Sequence, residues 1–209
     1  MSWSPKRRRS STQRQRNRTD HRHRHIRHRV RDLRLARLPA KGKRPAIRGG
    51  RGLLDATTDI AQIAEWWGGQ YRRANIGGRV PEGMVVIDID PYHGGLDSLA
   101  ALEKKYEPLP TTLTDLSGRG DGGAHYFFRR PPGQLTGRRL GVGIDVKTSG
   151  GYVVLAPSAH PDTGRRYRRI EAPVAAPPRW LSAFCRLRVK TALAYMGGRP
   201  EAGNTLAIP

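Results

Sequence analysis

Met84-Val-Val-Ile-Asp-Ile-Asp90 is the stretch whose reading decides the fold. Its β-branched, apolar composition favours a strand, and residues two apart on a strand project to the same face. Val85, Ile87 and Ile89 therefore line one face for burial, while Asp88 and Asp90 look from the other face into a cleft. At about 3.3 Å rise per residue the two acids lie about 7 Å apart at Cα. From there both reach one hard divalent cation, and Mg²⁺ and Mn²⁺ favour carboxylate oxygen. A third acid, Asp145 in Gly143-Ile-Asp-Val-Lys147, is also strand-like and flanked by apolar residues, so the three suggest a metal site. The competing reading is a solvated edge or turn pair.

Between these acids lies Ser117-Gly-Arg-Gly-Asp-Gly-Gly-Ala-His125-Tyr-Phe-Phe128, a glycine-rich loop running into an alternating strand. Gly118, Gly120, Gly122 and Gly123 allow close backbone approach to a ligand and can aim successive N–H groups at an anion. Arg119 and His125 add donors suited to phosphate. In the strand His125 shares a face with Phe127, while Tyr126 and Phe128 take the other. The bland alternative is a flexible hairpin with a satisfied strand histidine.

In this order the residues resemble the bifunctional primase/polymerase domain of the archaeo-eukaryotic primase superfamily. The resemblance rests on Asp88 and Asp90, Gly122-Gly123-Ala124-His125, Ile144-Asp145, Gly150-Gly-Tyr-Val-Val154 and Pro157-Ser-Ala-His-Pro161. Lys43-Arg-Pro45, Ala56-Thr-Thr-Asp59, Trp66-Trp67 and Asn75-Ile-Gly77 fit the same pattern upstream, so it spans roughly residues 41–182. Each motif alone is weak, and the ordered set is specific. Many superfamily members carry a serine two residues before the histidine, where this chain has Gly123.

The resemblance implies template-directed nucleotidyl transfer in replication of a plasmid, phage or integrated element, with a single-stranded DNA template and nucleoside triphosphates as partners. Asp88, Asp90 and Asp145 become ligands of Mg²⁺ or Mn²⁺, in line with two-cation chemistry at attacking and leaving oxygens. His125 and the Gly122-Gly123 backbone would contact the triphosphate. Arg119 and Lys147 either neutralise the same phosphates or are solvated. No Gly-x-x-x-x-Gly-Lys-Ser/Thr motif occurs in the chain, so the helicase that commonly accompanies this domain is expected to be either encoded separately or lost.

Charge agrees with a polyanionic partner. The net charge is +22 over 209 residues, and residues 1–38 hold 14 Lys and Arg against Asp20 and Asp32, which leaves +10 for the remainder. Residues 1–40 are expected to be a disordered basic tail, read either as an electrostatic arm on phosphates or as the product of a misassigned start. Its histidines sit among arginines that oppose a metal cation. One cysteine, Cys185, gives no internal disulfide and fits a reducing, cytoplasmic setting. No run of about 18 apolar residues offers a membrane span.

The remainder reads as α/β (α+β) around a mixed, mostly antiparallel sheet, the architecture of a primase-type catalytic fold. Asp59 caps a helix in a box with Gln62, and Ile60, Ile63, Ala64 and Trp67 form its apolar stripe. A second helix runs from Leu96 to Tyr106. Strands are expected around 112–116, 124–129, 143–147 and 152–156, the last two as a hairpin through Thr148-Ser-Gly-Gly151. His160 to Gly164 is a turn. Arg165 to Arg169 is a basic edge strand whose Arg165, Arg166 and Arg168 either follow a template backbone or protect the edge. A proline-rich linker over 172–178 leads to a helix at 179–188, so the catalytic domain covers 41–182 and an extension covers 183–209. Glu201 to Leu206 faintly resembles the start of a following helical region. Two further readings stay open: a non-catalytic nucleic-acid binder descended from such an enzyme, and a metal-dependent nuclease.

Overall fold

The computed structural model describes residues 35–132 and 139–186. In chain order its strands are β1 (Arg37–Lys41), β2 (Arg44–Pro45), β3 (Asn75–Arg79), β4 (Met84–Ile89), β5 (Thr114–Leu116), β6 (Ala124–Arg129), β7 (Arg139–Gly141), β8 (Ile144–Lys147), β9 (Tyr152–Leu155) and β10 (Arg168–Ile170). The helices are α1 (Ile60–Gly68), α2 (Gly95–Lys105) and α3 (Arg179–Arg186), and 3₁₀ turns occupy Gly52–Asp55 and Pro91–His93. The α+β class holds. The expected mixed sheet resolves into a four-stranded sheet, β2-β1-β3-β9, and a six-stranded sheet, β10-β5-β6-β4-β8-β7. Every ladder among the described residues is antiparallel, the one parallel contact being the isolated bridge Phe128–Ala175.

Strand β4 shows how the sequence builds this. Val85, Ile87 and Ile89 are buried as alternation requires, against Leu99 of α2 and Trp180 and Leu181 of α3. The opposite face is divided. Val86 is also buried, in a second core with Phe127, Trp67, Val153 and Leu155 that joins the two sheets and α1. Two residues further along that face, Asp88 stands where apolar packing stops and a cleft begins. The strand is thus clamped on both faces up to Asp88, which fixes the carboxylate's position.

Three expectations are corrected here. First, β8 and β9 are not a hairpin: the turn after β8, in which Gly151 N–H donates to Thr148 O at 2.7 Å, carries the chain from the six-stranded sheet into the four-stranded one. The cause is β3, whose bare Gly77 and Gly78 let β9 side chains lie across it. A Cβ at Gly78 would stand 2.5 Å from Leu155 Cδ1. Second, residues 35–40 belong to the fold and not to the tail, because Leu35, Leu38 and Ala40 are buried and β1 pairs with β3. Averaged composition hid them among arginines. Third, the capping box on α1 is open. Asp59 accepts from Ala61 N at 2.8 Å as expected, but Gln62 donates to Glu65 and the Asp59 N–H goes to Thr57 Oγ1. Ile60 is exposed, whereas Ile63 and Trp67 are buried.

α2 carries Leu99, Leu102 and Tyr106 on its packed side. The tail before residue 35, the C-terminal segment after residue 186 and the Glu201 to Leu206 stretch lie outside the described residues. Among the described residues no helix is long and apolar enough to cross a membrane.

Candidate active site

Register brings the chemistry together. Asp88 on β4 is directly opposite His125 on β6 and directly opposite Asp145 on β8. Opposed residues of an antiparallel pair share a face, with Cβ atoms about 4.5–5.5 Å apart, so Asp88 lies closer to Asp145 than to Asp90. The row extends outward: His125 is opposite Asp115 on β5, and Asp115 is opposite Arg169 on β10. Asp88, Asp90, Ser117, Arg119, Gly123, His125, Lys147 and Lys43 all line one open cleft of about 300 Å³ between the sheets, closed on the far side by β9 and Tyr167.

Asp88 is the electrostatic centre. Burial pushes its carboxyl up, but a hydrogen bond and charge from His125, together with Lys147 and Lys43, more than offset this and hold it below the ordinary value. His125 Nε2 lies 3.4 Å from Asp88 Oδ1. The Lys147 ammonium is 3.0 Å from Asp145 Oδ2 and 3.8 Å from Asp88 Oδ2. Two carboxylates already share one cation, so this donor pair fits a hard divalent ion.

The expected convergence of three acids is not met. Among the described residues no group of three His, Cys, Asp or Glu side chains gathers as a metal site. Asp90 is the reason: it lies just beyond β4 and its carboxylate is committed to the following turn, accepting from Tyr92 N at 3.1 Å and pairing with His93 Nδ1 at 2.7 Å. It borders the cleft without joining Asp88 and Asp145.

The glycine loop divides in the same way. Gly123 borders the cleft, whereas Gly122, at φ +94°, faces Leu96, and Gly118 is bare because the Arg165 carbonyl lies where its Cβ would be. Ser117 accepts from Arg119 N at 3.2 Å. His125 is buried, stacks on Tyr167 with centroids 5.8 Å apart, and its Nδ1 has no hydrogen-bond partner among the described residues. Burial pushes the Tyr167 phenol up to about 12, with the Asp88 charge adding to it and a hydrogen bond to Ser117 opposing. Arg119 pairs with Asp162 at 3.0 Å and stands over the Tyr92 ring.

The basic edge is shorter than expected, since β10 begins at Arg168. Arg165 donates to the Arg119 carbonyl and Arg166 to the Pro157 carbonyl, so both are tied to backbone, and Arg168 is exposed. Arg169 turns inward to a bidentate pair with Asp115, both bonds 2.7 Å, and Asp115 Oδ2 also accepts from Ala156 N at the end of β9. This clamp across the two sheets escaped the sequence reading. So did the lock between Asn75 and the turn after β9: its Nδ2 donates to Gly42 O and Ala159 O, its Oδ1 accepts from Ala159 N, and Ser158 Oγ accepts from Ile76 N. His160 completes that turn, buried against Tyr167.

No curated protein matches the chain. A family model does: residues 26–180 match that of the bifunctional DNA primase/polymerase N-terminal domain, and the match takes in every strand, both cleft-lining sheets and all the residues of the row. Nucleotidyl transfer of the DNA primase/polymerase type, in general metal-dependent, is what that family implies. The chain belongs to the family of bifunctional DNA primase/polymerase N-terminal domains.

Proposed function

We propose that the cleft catalyses template-directed nucleotidyl transfer in DNA replication: a primer 3′-hydroxyl attacks the α-phosphate of a nucleoside triphosphate. A new P–O bond forms, the bond to the β-phosphate bridge breaks, and pyrophosphate and the hydroxyl proton leave. The observation that carries this reading is the row His125–Asp88–Asp145 across three adjacent strands: His125 and Asp88 line a cleft rimmed by Lys43, Arg119 and Lys147, and Asp145 stands at its margin in contact with Lys147. Asp88 and Asp145 would hold Mg²⁺ or Mn²⁺, and Asp90 would join them only by leaving His93. Bound there, such ions stabilise charge on the attacking and leaving oxygens.

The chain's own residues prepare the rest. Asp88, held below its ordinary value, stays an anion at neutral pH. His125, pinned by Tyr167 and Asp88, would meet the triphosphate through the Nε2 edge that now faces Asp88, beside Gly123, and Arg119 and Lys147 would supply positive charge to it. Exposed Arg168 at the start of β10, with Arg165 and Arg166 just before it, would follow a template backbone outside the cleft. A second reading, a binder without catalysis, is favoured by the commitment of Asp90 to its turn. Extension of a primed single strand with Mg²⁺ or Mn²⁺ separates the two. Incorporation by the wild type, lost in both Asp88→Ala and Asp145→Ala at equal folded protein, supports the enzyme. Incorporation retained by both variants sinks the site assignment, and strand binding without any incorporation by the wild type favours the binder.

A further inference from the structure

Lys147 follows Asp145 by two residues on β8, so both project from the same face, and Lys147 is opposite Val86 where the apolar packing ends. Its ammonium lies between two carboxylates that face each other across the ladder, 3.0 Å from one and 3.8 Å from the other. Opposed like charges on adjacent strands repel. A cation between them, with His125 and Lys43 beside Asp88, offsets that repulsion.

We propose that Lys147 is an internal, displaceable cation. It occupies the ground between Asp88 and Asp145 until a divalent ion arrives, yields that ground, and turns its released ammonium to the triphosphate. This rests on the reading of the cleft as a nucleotidyl-transfer site. Three observations carry it. The side chains of Lys147, Asp88 and Asp145 are 30%, 30% and 45% exposed, so an ion can enter and the ammonium can leave without unpacking the core. An ion pair this open is screened and weakly held, unlike the buried Asp115–Arg169 clamp in the same row. A lysine head on a flexible four-carbon stem can relocate within the cleft, which a guanidinium fork does less readily. An ammonium and a dication about 4 Å apart repel strongly, so one site cannot hold both. Metal and triphosphate binding are then coupled through one side chain, and the coupling is reciprocal.

Mn²⁺ titration of the full chain without nucleotide, read by electron paramagnetic resonance of the free ion, tests this with Lys147→Met, Lys147→Arg and Asp88→Asn. The Mn²⁺ binding that Asp88→Asn retains reports ions held elsewhere on the chain and is subtracted. Lys147→Met is expected to bind Mn²⁺ at least about fivefold tighter than the wild type, from loss of an adjacent unit charge. Lys147→Arg, which keeps the charge on a less readily displaced fork, is expected to bind no tighter than the wild type. At saturating Mn²⁺, Lys147→Met is expected to bind a nucleoside triphosphate with a non-hydrolysable α–β link about fivefold more weakly. Mn²⁺ binding by Lys147→Met that is unchanged or weaker, while Asp88→Asn loses it, overturns this assignment and leaves the metal reading standing. Equal Mn²⁺ binding by Asp88→Asn and the wild type removes the metal reading, and this inference with it.

Discussion

Asp88 owes its charge to its neighbours, which makes His125 testable by more than loss of activity. Burial alone would raise the Asp88 carboxyl, and the His125 contact is the foremost opposing influence. In His125→Ala the carboxyl should therefore rise, so that Mn²⁺ binding needs a higher pH than in the wild type; nucleotide affinity should fall more than template affinity. An unshifted pH onset would show that His125 does not govern Asp88. His160 gives a second prediction, on stability. Burial first, then Lys43 and Arg119, lower its value from 6.5, with Asp162 and Asp121 opposing. A histidine so depressed binds its proton more readily in the unfolded chain, so stability is steady above pH 6.5 and falls as pH drops below it. His160 Nδ1 accepts from Asp162 N, an acceptor that Asn can imitate. His160→Asn should flatten the loss measured by denaturant unfolding between neutral and mildly acidic pH; an undiminished loss would place its origin elsewhere. Residue type also explains what the sequence reveals at this scale. Asp88 and His125 were legible because each is a polar residue in phase with apolar neighbours on its strand face, and Asp145 because Ile144 and Val146 flank it. Asp115 sends the same signal, in phase with Leu113. Its partner could not be picked out, because Arg169 is one of four arginines between Arg165 and Arg169 and only the sheet register turns it inward.

Elements place these residues through backbone contacts that leave little mark in a sequence. Asp115 binds Arg169 within the six-stranded sheet and Ala156 N at the end of β9 in the other, so it ties together the two walls of the cleft. Asp115→Asn should cost about 3–5 kcal/mol, the usual penalty for breaking a buried pair from one side. Denaturant unfolding measures this, and a loss under about 1 kcal/mol would mean that the clamp is not structural. Gly95 acts where β4 turns into α2. A Cβ there would meet Gly143 O at 2.5 Å and Asp90 O at 2.7 Å, both backbone atoms, while Asp90 N donates to Gly143 O and Gly95 N to Asp90 O. Gly95→Ala should thus displace Asp90 and the entry to β8 together, lowering both stability and nucleotide incorporation. Alternation and β-rich composition revealed β4, β5, β6, β8, β9 and β10 but not β1, β2, β3 or β7, and the hairpin reading of β8 and β9 failed. A short Gly-containing turn looks the same whether the next strand folds back or crosses to another sheet, and only the bare face of β3 decides between them.

For the whole molecule the open question is how its charge is shared between the folded domain and its N-terminal arm. Residues 1–25 carry nine Lys and Arg and precede the family match, which starts at residue 26. The proposed catalytic residues all lie between Asp88 and Lys147, so deletion of residues 2–25 should spare metal binding and nucleotide incorporation. Strand affinity should respond differently. Each phosphate neutralised contributes about −0.7 to the slope of log affinity against log salt on single strands, so full engagement of the arm would account for about six units of slope. The truncated chain should bind single-stranded DNA more weakly at low salt, approach the full chain at high salt, and show a flatter slope. The remaining slope then measures the phosphate contacts of the folded domain, to which Arg165, Arg166 and Arg168 are the proposed contributors. Charge reversal of exposed Arg168 in the truncated chain should flatten it again by about one unit, whereas the same change at Arg169 should unfold the Asp115 clamp instead. A slope unchanged by the deletion would mean that the arm touches no phosphate and that the folded domain alone accounts for strand binding.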